Sequence, residues 1–349
     1  MRLPNWNLTF SAKRKLQRAG LITAIVVMVL ILVWFCWVIW LERYVVYSRE
    51  GATINTNLPE RMAGGQVAAP PAVDETIPIY INEGSDAIDT ELKLKKINGY
   101  YVEQEQLIED IQTVRDVVAT LPPDTAVLLE LKNIYGRFNY SSGLTDATVA
   151  SNVDLPAVDN LITEINSKNL YTIALVPAFR EYAYVLAKNN YFLKDSNGYG
   201  WSDDQRCYWL DPTETGTLNW LIQIADELRE KGFDEVVFTE FRIPNSEKIR
   251  FSGDRVAAIN NAAAKLQESC GTHNFVISFA TNDTAFVLPE GGMNRVYLTD
   301  VGAKDVAAAA AKMTVPNPET NLVFMATSTD TRYDAYSALR AITTANMKK

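Results

Sequence analysis

The chain has 349 residues, of which 48% are hydrophobic and 21% are charged, with 16 Tyr, 13 Phe and 7 Trp. This composition supplies enough apolar side chains for a packed core and excludes a wholly disordered protein. The formal net charge is −9, and no block of basic residues follows the first eighteen positions. Because an acidic surface repels a phosphate backbone, the charge argues against a nucleic-acid partner.

Cysteine and histidine are scarce. Of three Cys and one His, Cys36 lies in an apolar run, which leaves Cys207, Cys270 and His273. A zinc site of the four-Cys or two-Cys, two-His kind needs more ligands than these. We therefore expect no metal, and no glycine-rich nucleotide fingerprint follows any predicted strand. The sequence predicts no cofactor.

Residues 19–41 form a run of 23 residues without a charge. As a helix such a run spans the ~30 Å hydrocarbon core of a bilayer, and we predict a single transmembrane helix here. The competing interpretation is a cleavable signal peptide, whose apolar stretch is shorter and ends at small residues. Basic residues before the run (Arg2, Lys13, Arg14, Lys15, Arg18) and aromatic residues in its second half predict a cytoplasmic tail over 1–18 and an extracytoplasmic C-terminal domain.

Residues 42–94 are largely small, polar and Pro-containing, and we predict a linker there. One short piece, IPIYI (77–81), alternates like a strand and is predicted to dock on the domain that follows.

From residue 95 onward, short β-branched runs alternate with helical patterns, which predicts a parallel sheet flanked by helices. Length favours a closed (β/α)₈ TIM-like barrel over an open sheet. The seven predicted strands are INGYYV (97–102), VLLELK (127–132), YTIALVPA (171–178), EVVFTEF (235–241), FVISFA (275–280), RVYLTD (295–300) and NLVFMAT (321–327), the last two followed by Ala-rich or amphipathic helices. The eighth strand is left open among IPIYI, KIRF (248–251) and absence, so the barrel could be incomplete.

The barrel prediction places function at the carboxyl ends of the strands. Carboxyl groups follow several of them, and the catalytic candidates are Glu240, Glu130, Asp283 and Asp330. An Asp after a strand can instead cap the next helix, and Asp283 and Asp330 fit that interpretation equally well. The predicted barrel also separates Cys207, in an upper loop, from Cys270, at a lower helix end, so we expect no disulfide between them.

Three segments in order carry a family resemblance. WLDP (209–212) with a helix and GFDEVVFTEFRIP (232–244), ELKNIYGRFNYSS (130–142), and YTIALVPAFRE (171–181) resemble the motifs of a glycoside-hydrolase-like TIM-barrel family of bacterial cell-envelope proteins. The resemblance implies a carbohydrate or cell-wall glycan as ligand. The candidates for substrate binding beside the acids are Lys132, Asn133 and Arg242 at the strand ends, and Tyr140 and Trp201 as aromatic rings that can stack on sugars.

The chain departs from the family pattern at three charged positions. The Asp of the family's FDYxRFP falls on Thr239, the Arg of its IAR falls on Leu175, and the Asp of its DxK becomes Glu130. Two functions therefore stay open: a membrane-anchored glycoside hydrolase with Glu240 as acid, or an inactive barrel that binds carbohydrate or serves as a scaffold. For the site we expect ion pairs of Glu130 with Lys132 or Arg242, and of Glu240 with Arg242.

Overall fold

The computed structural model describes residues 27–28, 34, 45–48, 51–54, 94–188, 190–272 and 274–342. The chain divides into two compact units, Met1–Ser85 and Asp86–Lys349. No helix within the described ranges is long and apolar enough to cross a membrane. The predicted transmembrane helix falls outside those ranges except at Val27, Met28 and Trp34, and the IPIYI segment and His273 fall outside them entirely.

Besides Val27, Met28 and Trp34, the described backbone of the first unit is an antiparallel pair of strands, Val45–Ser48 and Gly51–Ile54, with Ser48 opposite Gly51. Sequence analysis assigned no strand to this part of the linker. Val45, Val46 and Tyr47 are β-branched or aromatic residues that favour extended backbone.

The second unit is built on a closed barrel of eight parallel strands, each paired with the next in chain order and the last with the first. The strands are β1 (Asn98–Val102), β2 (Ala126–Glu130), β3 (Tyr171–Pro177), β4 (Glu235–Thr239), β5 (Val276–Ala280), β6 (Val296–Leu298), β7 (Leu322–Ala326) and β8 (Ser337–Ala341). The predicted TIM-like barrel is confirmed: six of its strands lie within the predicted segments, and β2 begins one residue before its segment.

Helices connect most of the strands. They are α1 (Gln104–Glu109), α2 (Ile111–Thr120), α3 (Leu155–Ser167), α4 (Ala183–Ala187), α5 (Thr215–Glu230), α6 (Arg255–Cys270), α7 (Val306–Lys312) and α8 (Pro318–Asn321), with a 3₁₀ helix at Thr331–Ala335. The residues between β5 and β6 contain no helix. Gly232 follows α5 at φ +88°, the left-handed conformation that ends a helix.

The KIRF segment, one of the two proposed for the eighth strand, does not form it. Ile249–Arg250, within KIRF, pairs with Lys194–Asp195 in a two-residue antiparallel ribbon outside the barrel. The eighth strand is β8, in a region where sequence analysis expected an amphipathic helix. Its sequence, SALRA, has little β-propensity, and pairing with β7 on one side and β1 on the other holds it extended.

Alternating side chains of the strands fill the barrel interior. The inner cluster consists of Ile97, Ala126, Leu128, Ile173, Val237, Tyr297, Val323 and Leu339. Side chains on the outer face of the strands, such as Val127, Leu129, Val236 and Phe238, pack against apolar faces of the helices, including Leu161, Leu221 and Leu266. Because both of these layers are apolar, polar side chains lie at the strand ends.

A buried polar network occupies the amino-terminal end of the barrel. The Glu235 carboxylate accepts hydrogen bonds from the hydroxyls of Tyr171 and Tyr297, each at 2.9 Å, and forms an ion pair with Arg295. Arg295 also donates to the backbone carbonyls of Lys95, at 3.0 Å, and of Thr320, at 3.3 Å. These bonds join five chain segments across the barrel floor and compensate the buried charges.

Candidate functional site

Three inward-facing positions on adjacent strands define the barrel mouth at its carboxyl end. Glu130 at the end of β2 pairs in register with Leu175 on β3, and Thr239 at the end of β4 pairs with Pro177. Glu130 and Thr239 each lie two residues beyond a member of the inner cluster, and Leu175 packs against that cluster, so all three face inward. They are the positions where the resembled family carries Asp, Arg and Asp, and here only Glu130 can ionise.

Glu130 lies half-buried in the mouth. Its Oε2 accepts a hydrogen bond of 3.0 Å from the backbone N–H of Gln104. Burial raises the pKa of the Glu130 carboxyl, and the nearby carboxylates of Glu105 and Glu103 raise it further, against the opposing effect of that hydrogen bond. The geometry makes Glu130 a carboxyl group that resists ionisation.

The surroundings of the mouth are acidic. Burial raises the pKa of the Tyr101 hydroxyl, and the carboxylates of Glu103 and Asp300 add to the effect. Because Glu103 acts on both Tyr101 and Glu130, these carboxylates place negative charge at the ends of the neighbouring strands β1 and β2.

Glu240 follows β4 with a left-handed backbone, at φ +49°. Strand alternation would put the side chain after Thr239 on the outer face, and the left-handed turn redirects it. The Glu240 carboxylate contacts two guanidinium groups, Arg180 Nη1 at 3.2 Å and Arg242 Nη2 at 3.3 Å. The ion pair expected between Glu240 and Arg242 is therefore present.

Sequence analysis missed Arg180, which holds a second carboxylate. Its Nε donates to Asp203 Oδ2 at 2.7 Å, and Trp209 Nε1 donates to the same oxygen at 3.0 Å. Burial opposes ionisation of Asp203, but hydrogen bonds from the Cys207 backbone, Trp209 and Arg180 outweigh it and lower the pKa of Asp203. The sequence signal was present, because Arg180 lies in the loop that follows β3 at the same end of the barrel.

Two guanidinium groups lie within cation–π distance of the Trp209 indole. The guanidinium carbons of Arg180 and Arg242 lie 5.9 Å and 5.2 Å from its ring centroid. Trp201, a predicted binding residue, is half-buried with its ring centroid 6.5 Å from that of Trp209. Cation–π contacts and ion pairs thus hold Arg180, Arg242, Glu240 and Asp203 in one cluster.

Two predicted binding residues are fully buried. Lys132 is fully buried and pairs with Glu181, so the expected pair with Glu130 does not form. The Tyr140 hydroxyl donates to Glu227 Oε2 on α5 at 2.7 Å, and the tyrosine is also fully buried. A ligand at the surface has no access to either side chain in this packing.

The other predicted residues shape local turns. Asn133 Oδ1 accepts hydrogen bonds of 3.1 Å from two backbone N–H groups of the following loop, at Tyr135 and Arg137. Asp283 Oδ1 accepts from the Ala285 N–H at 2.9 Å. Asp330 caps the 3₁₀ helix through the Arg332 N–H at 2.9 Å and pairs with the Arg332 guanidinium at 2.7 Å. Asp330 is therefore a capping residue, as the alternative interpretation of the sequence predicted. The structure places neither Asp283 nor Asp330 beside Glu130.

The remaining features lie elsewhere. Cys207 and Cys270 are buried free thiols, so the expected lack of a disulfide between them is confirmed. An open cavity of about 1280 Å³ lies at the amino-terminal face, lined by loops that precede β5, β6 and β7. That face of a TIM barrel contributes stability, and catalysis in such barrels uses the opposite face.

Several solved structures are similar to this chain. A glycoside hydrolase family 36 α-galactosidase from Geobacillus stearothermophilus matches with a TM-score of 0.50 and 12% identity over 74% of this chain and 40% of its own. A hypothetical protein from Ruminiclostridium thermocellum matches with a TM-score of 0.46 and 24% identity, over 54% of this chain and 100% of its own. A glycoside hydrolase family 20 β-N-acetylglucosaminidase gives 0.45 and 9%, over 67% and 52%. This chain thus spans about half or less of the two named hydrolases.

Sequence comparison gives the family. No curated protein matches the chain. The family model described as "Putative glycosyl hydrolase domain" matches residues 100–280, which include the last three residues of β1, all of β2 to β5, the mouth residues and the Arg180 cluster. Because that match covers more than half of the 349 residues, the chain belongs to this glycosyl hydrolase domain family.

Proposed function

We propose that the barrel binds a carbohydrate at its mouth without cleaving a glycosidic bond. The family supports a carbohydrate ligand. The observation that carries the proposal is the replacement of charge in the mouth: of the three inward positions Glu130, Leu175 and Thr239, one retains a carboxyl group.

Hydrolysis with retention needs two carboxyl groups about 5–5.5 Å apart, and inversion needs them about 6.5–9.5 Å apart. Thr239 cannot ionise, so of the three inward strand positions only Glu130 offers a carboxyl group. Glu240 is the nearest substitute in sequence, but its carboxylate is held by Arg180 and Arg242. Binding makes smaller demands, which hydrogen-bonding groups such as Glu130 and Tyr101 beside apolar Leu175 can meet.

A hydrolase is the second candidate, and one observation favours it. The raised pKa of Glu130 is the property that a general acid of a glycosidase requires. In that mechanism Glu130 would protonate the leaving oxygen, and an ionised Glu240 would act as nucleophile or base.

For the location we propose a cell membrane protein with one transmembrane helix at 19–41, its N-terminus in the cytoplasm and the barrel outside. The support is the uncharged run and its basic flank. On this proposal the ligand is a cell-envelope glycan. A C-terminal reporter that is active only in the cytoplasm should be silent, and an active one would overturn the orientation.

The test of function combines binding and turnover. The full-length chain is incubated with a panel of polysaccharides and cell-wall glycans, and bound glycan and new reducing ends are both measured. We expect binding without new reducing ends, and weaker binding for Glu130→Gln. The matched control is Glu319→Gln, an exposed glutamate at the opposite end of the barrel.

Two results would overturn the proposal. Reducing ends that disappear with Glu130→Gln and Glu240→Gln, but persist with Glu319→Gln, would establish hydrolysis. Failure of every glycan to bind the unmodified chain would reject a carbohydrate ligand.

A further inference from the structure

Several large apolar side chains are exposed close together on the loops that follow β2 and β3. The exposed fractions are 43% for Tyr135, 38% for Tyr182 and 53% for Leu186. Tyr208 stacks on Tyr182, with ring centroids 5.9 Å apart and an interplanar angle of 20°. Single exposed apolar residues are common on protein surfaces, whereas a cluster marks an interaction site.

Backbone contacts join these residues into one surface. The Ala183 N–H donates to the Tyr135 carbonyl at 3.2 Å, which brings the loop after β2 against the start of α4. The Leu186 N–H donates to the Tyr182 carbonyl at 3.2 Å, so Leu186 lies one helical turn beyond Tyr182 on the same side. We call Tyr135, Tyr182, Leu186 and Tyr208 the tyrosine shelf.

The shelf is continuous with the charged cluster of the candidate site. Arg180, two residues before Tyr182, contacts Glu240 at 3.2 Å. The Glu181 N–H donates to the Tyr208 carbonyl at 2.9 Å. This bond joins the segment that carries Tyr208 to the segment that carries Arg180 and Tyr182. The shelf therefore lies at the carboxyl end of the barrel, where the mouth also opens.

We propose that the tyrosine shelf binds sugar rings of a neutral glycan that extends out of the barrel mouth. This inference rests on the proposed carbohydrate function and extends it to a longer, uncharged ligand. A pyranose ring presents an apolar C–H face that packs on a tyrosine ring, and its hydroxyl groups bond the phenol oxygens at the edge. Glu103, Glu105 and Asp300 place negative charge at the ends of β1 and β2, which favours an uncharged glycan over an anionic one there.

The test compares ligand length. Calorimetric titration of the full-length chain uses cellohexaose and chitohexaose beside cellobiose and chitobiose. Alanine at Tyr182 or at Tyr135 should weaken hexasaccharide binding about tenfold and leave disaccharide binding unchanged. Tyr182→Phe should retain most of the affinity, because the ring remains.

The matched control is Tyr199→Ala, because Tyr199 is 74% exposed and outside the shelf. Thermal melting of each variant shows whether the fold is intact. Unchanged hexasaccharide affinity in Tyr182→Ala would refute the shelf while leaving the mouth as the binding site. Equal losses for hexasaccharide and disaccharide would refute it as an extended subsite. Absence of binding by the unmodified chain would reject the carbohydrate function, and the shelf with it.

Discussion

Replacing Arg295 with methionine removes the cation from the floor of the barrel. Arg295 and Glu235 are both almost completely inaccessible to solvent, so the variant leaves a buried carboxylate with two tyrosine hydroxyls as its remaining partners. The change also removes donors to the carbonyls of Lys95 and Thr320. Breaking a buried pair from one side costs about 3–5 kcal/mol of unfolding free energy. At about 2–4 °C per kcal/mol, the melting temperature should fall by roughly 6–20 °C.

The assay is thermal and urea unfolding followed by circular dichroism, with a double-mutant cycle. Glu235→Gln removes the charge from the other side, and its amide oxygen can still accept a tyrosine hydroxyl. The double variant should be at least about 2 kcal/mol more stable than the sum of the two single losses predicts. Arg332→Met is the control, since that pair with Asp330 is at the surface and should contribute little. Two results would refute the conclusion that Arg295 and Glu235 compensate each other's buried charge. One is a loss of unfolding free energy below about 1 kcal/mol for Arg295→Met, and the other is strict additivity of the two single losses in the double variant.

Three further predictions concern single sites. Gly99→Ala should cost about 3 kcal/mol in urea unfolding, because its Cβ would lie 1.8 Å from the Ala126 carbonyl oxygen of the paired strand; an unchanged midpoint would contradict this packing. Burial raises the pKa of Cys207 and Cys270 to about 12, so iodoacetamide at pH 8 should label them in the unfolded chain and spare them in the folded one, as peptide mass spectrometry would show. The raised pKa of Glu130 makes its ionisation unfavourable in the folded state, so the free energy of unfolding falls as pH rises through that pKa. Glu130→Gln should therefore raise the melting temperature more at pH 7.5 than at pH 4. The opposite order would contradict the burial of this carboxyl group.

Much of the barrel was predictable because its strands are runs of buried β-branched and aromatic residues. Val236, Val237 and Phe238 form such a run, and period-two alternation from Val237 places Thr239 on the inner face. The same rule places Glu130 in the mouth. Strand β8 was not predictable, since its small residues are held by neighbours from both ends of the domain rather than by local preference.

The candidate site was less predictable because its contacts are long-range. Lys132 finds its partner Glu181, 49 positions away, instead of the nearby Glu130. Glu240 adopts a left-handed conformation that non-glycine residues rarely take, so no strand pattern could orient its carboxylate. Arg180 contacts both Glu240 and Asp203 because tertiary packing brings three separate loop segments together. The positions of these residues in the sequence do not reveal the contacts.

Closure of the barrel between β8 and β1 has a consequence for folding. Asn98 pairs with Ala338, and the Ile97 N–H donates to the Ser337 hydroxyl across 240 positions of sequence. During synthesis the amino-terminal strand therefore keeps an unpaired edge until β8 has left the ribosome. Loop-closure entropy opposes so distant a pairing, and exposed strand edges promote association between chains. Assembly of this domain accordingly depends on a late step, and shortening the chain before β8 would leave β1 and β7 open to pairing with other molecules.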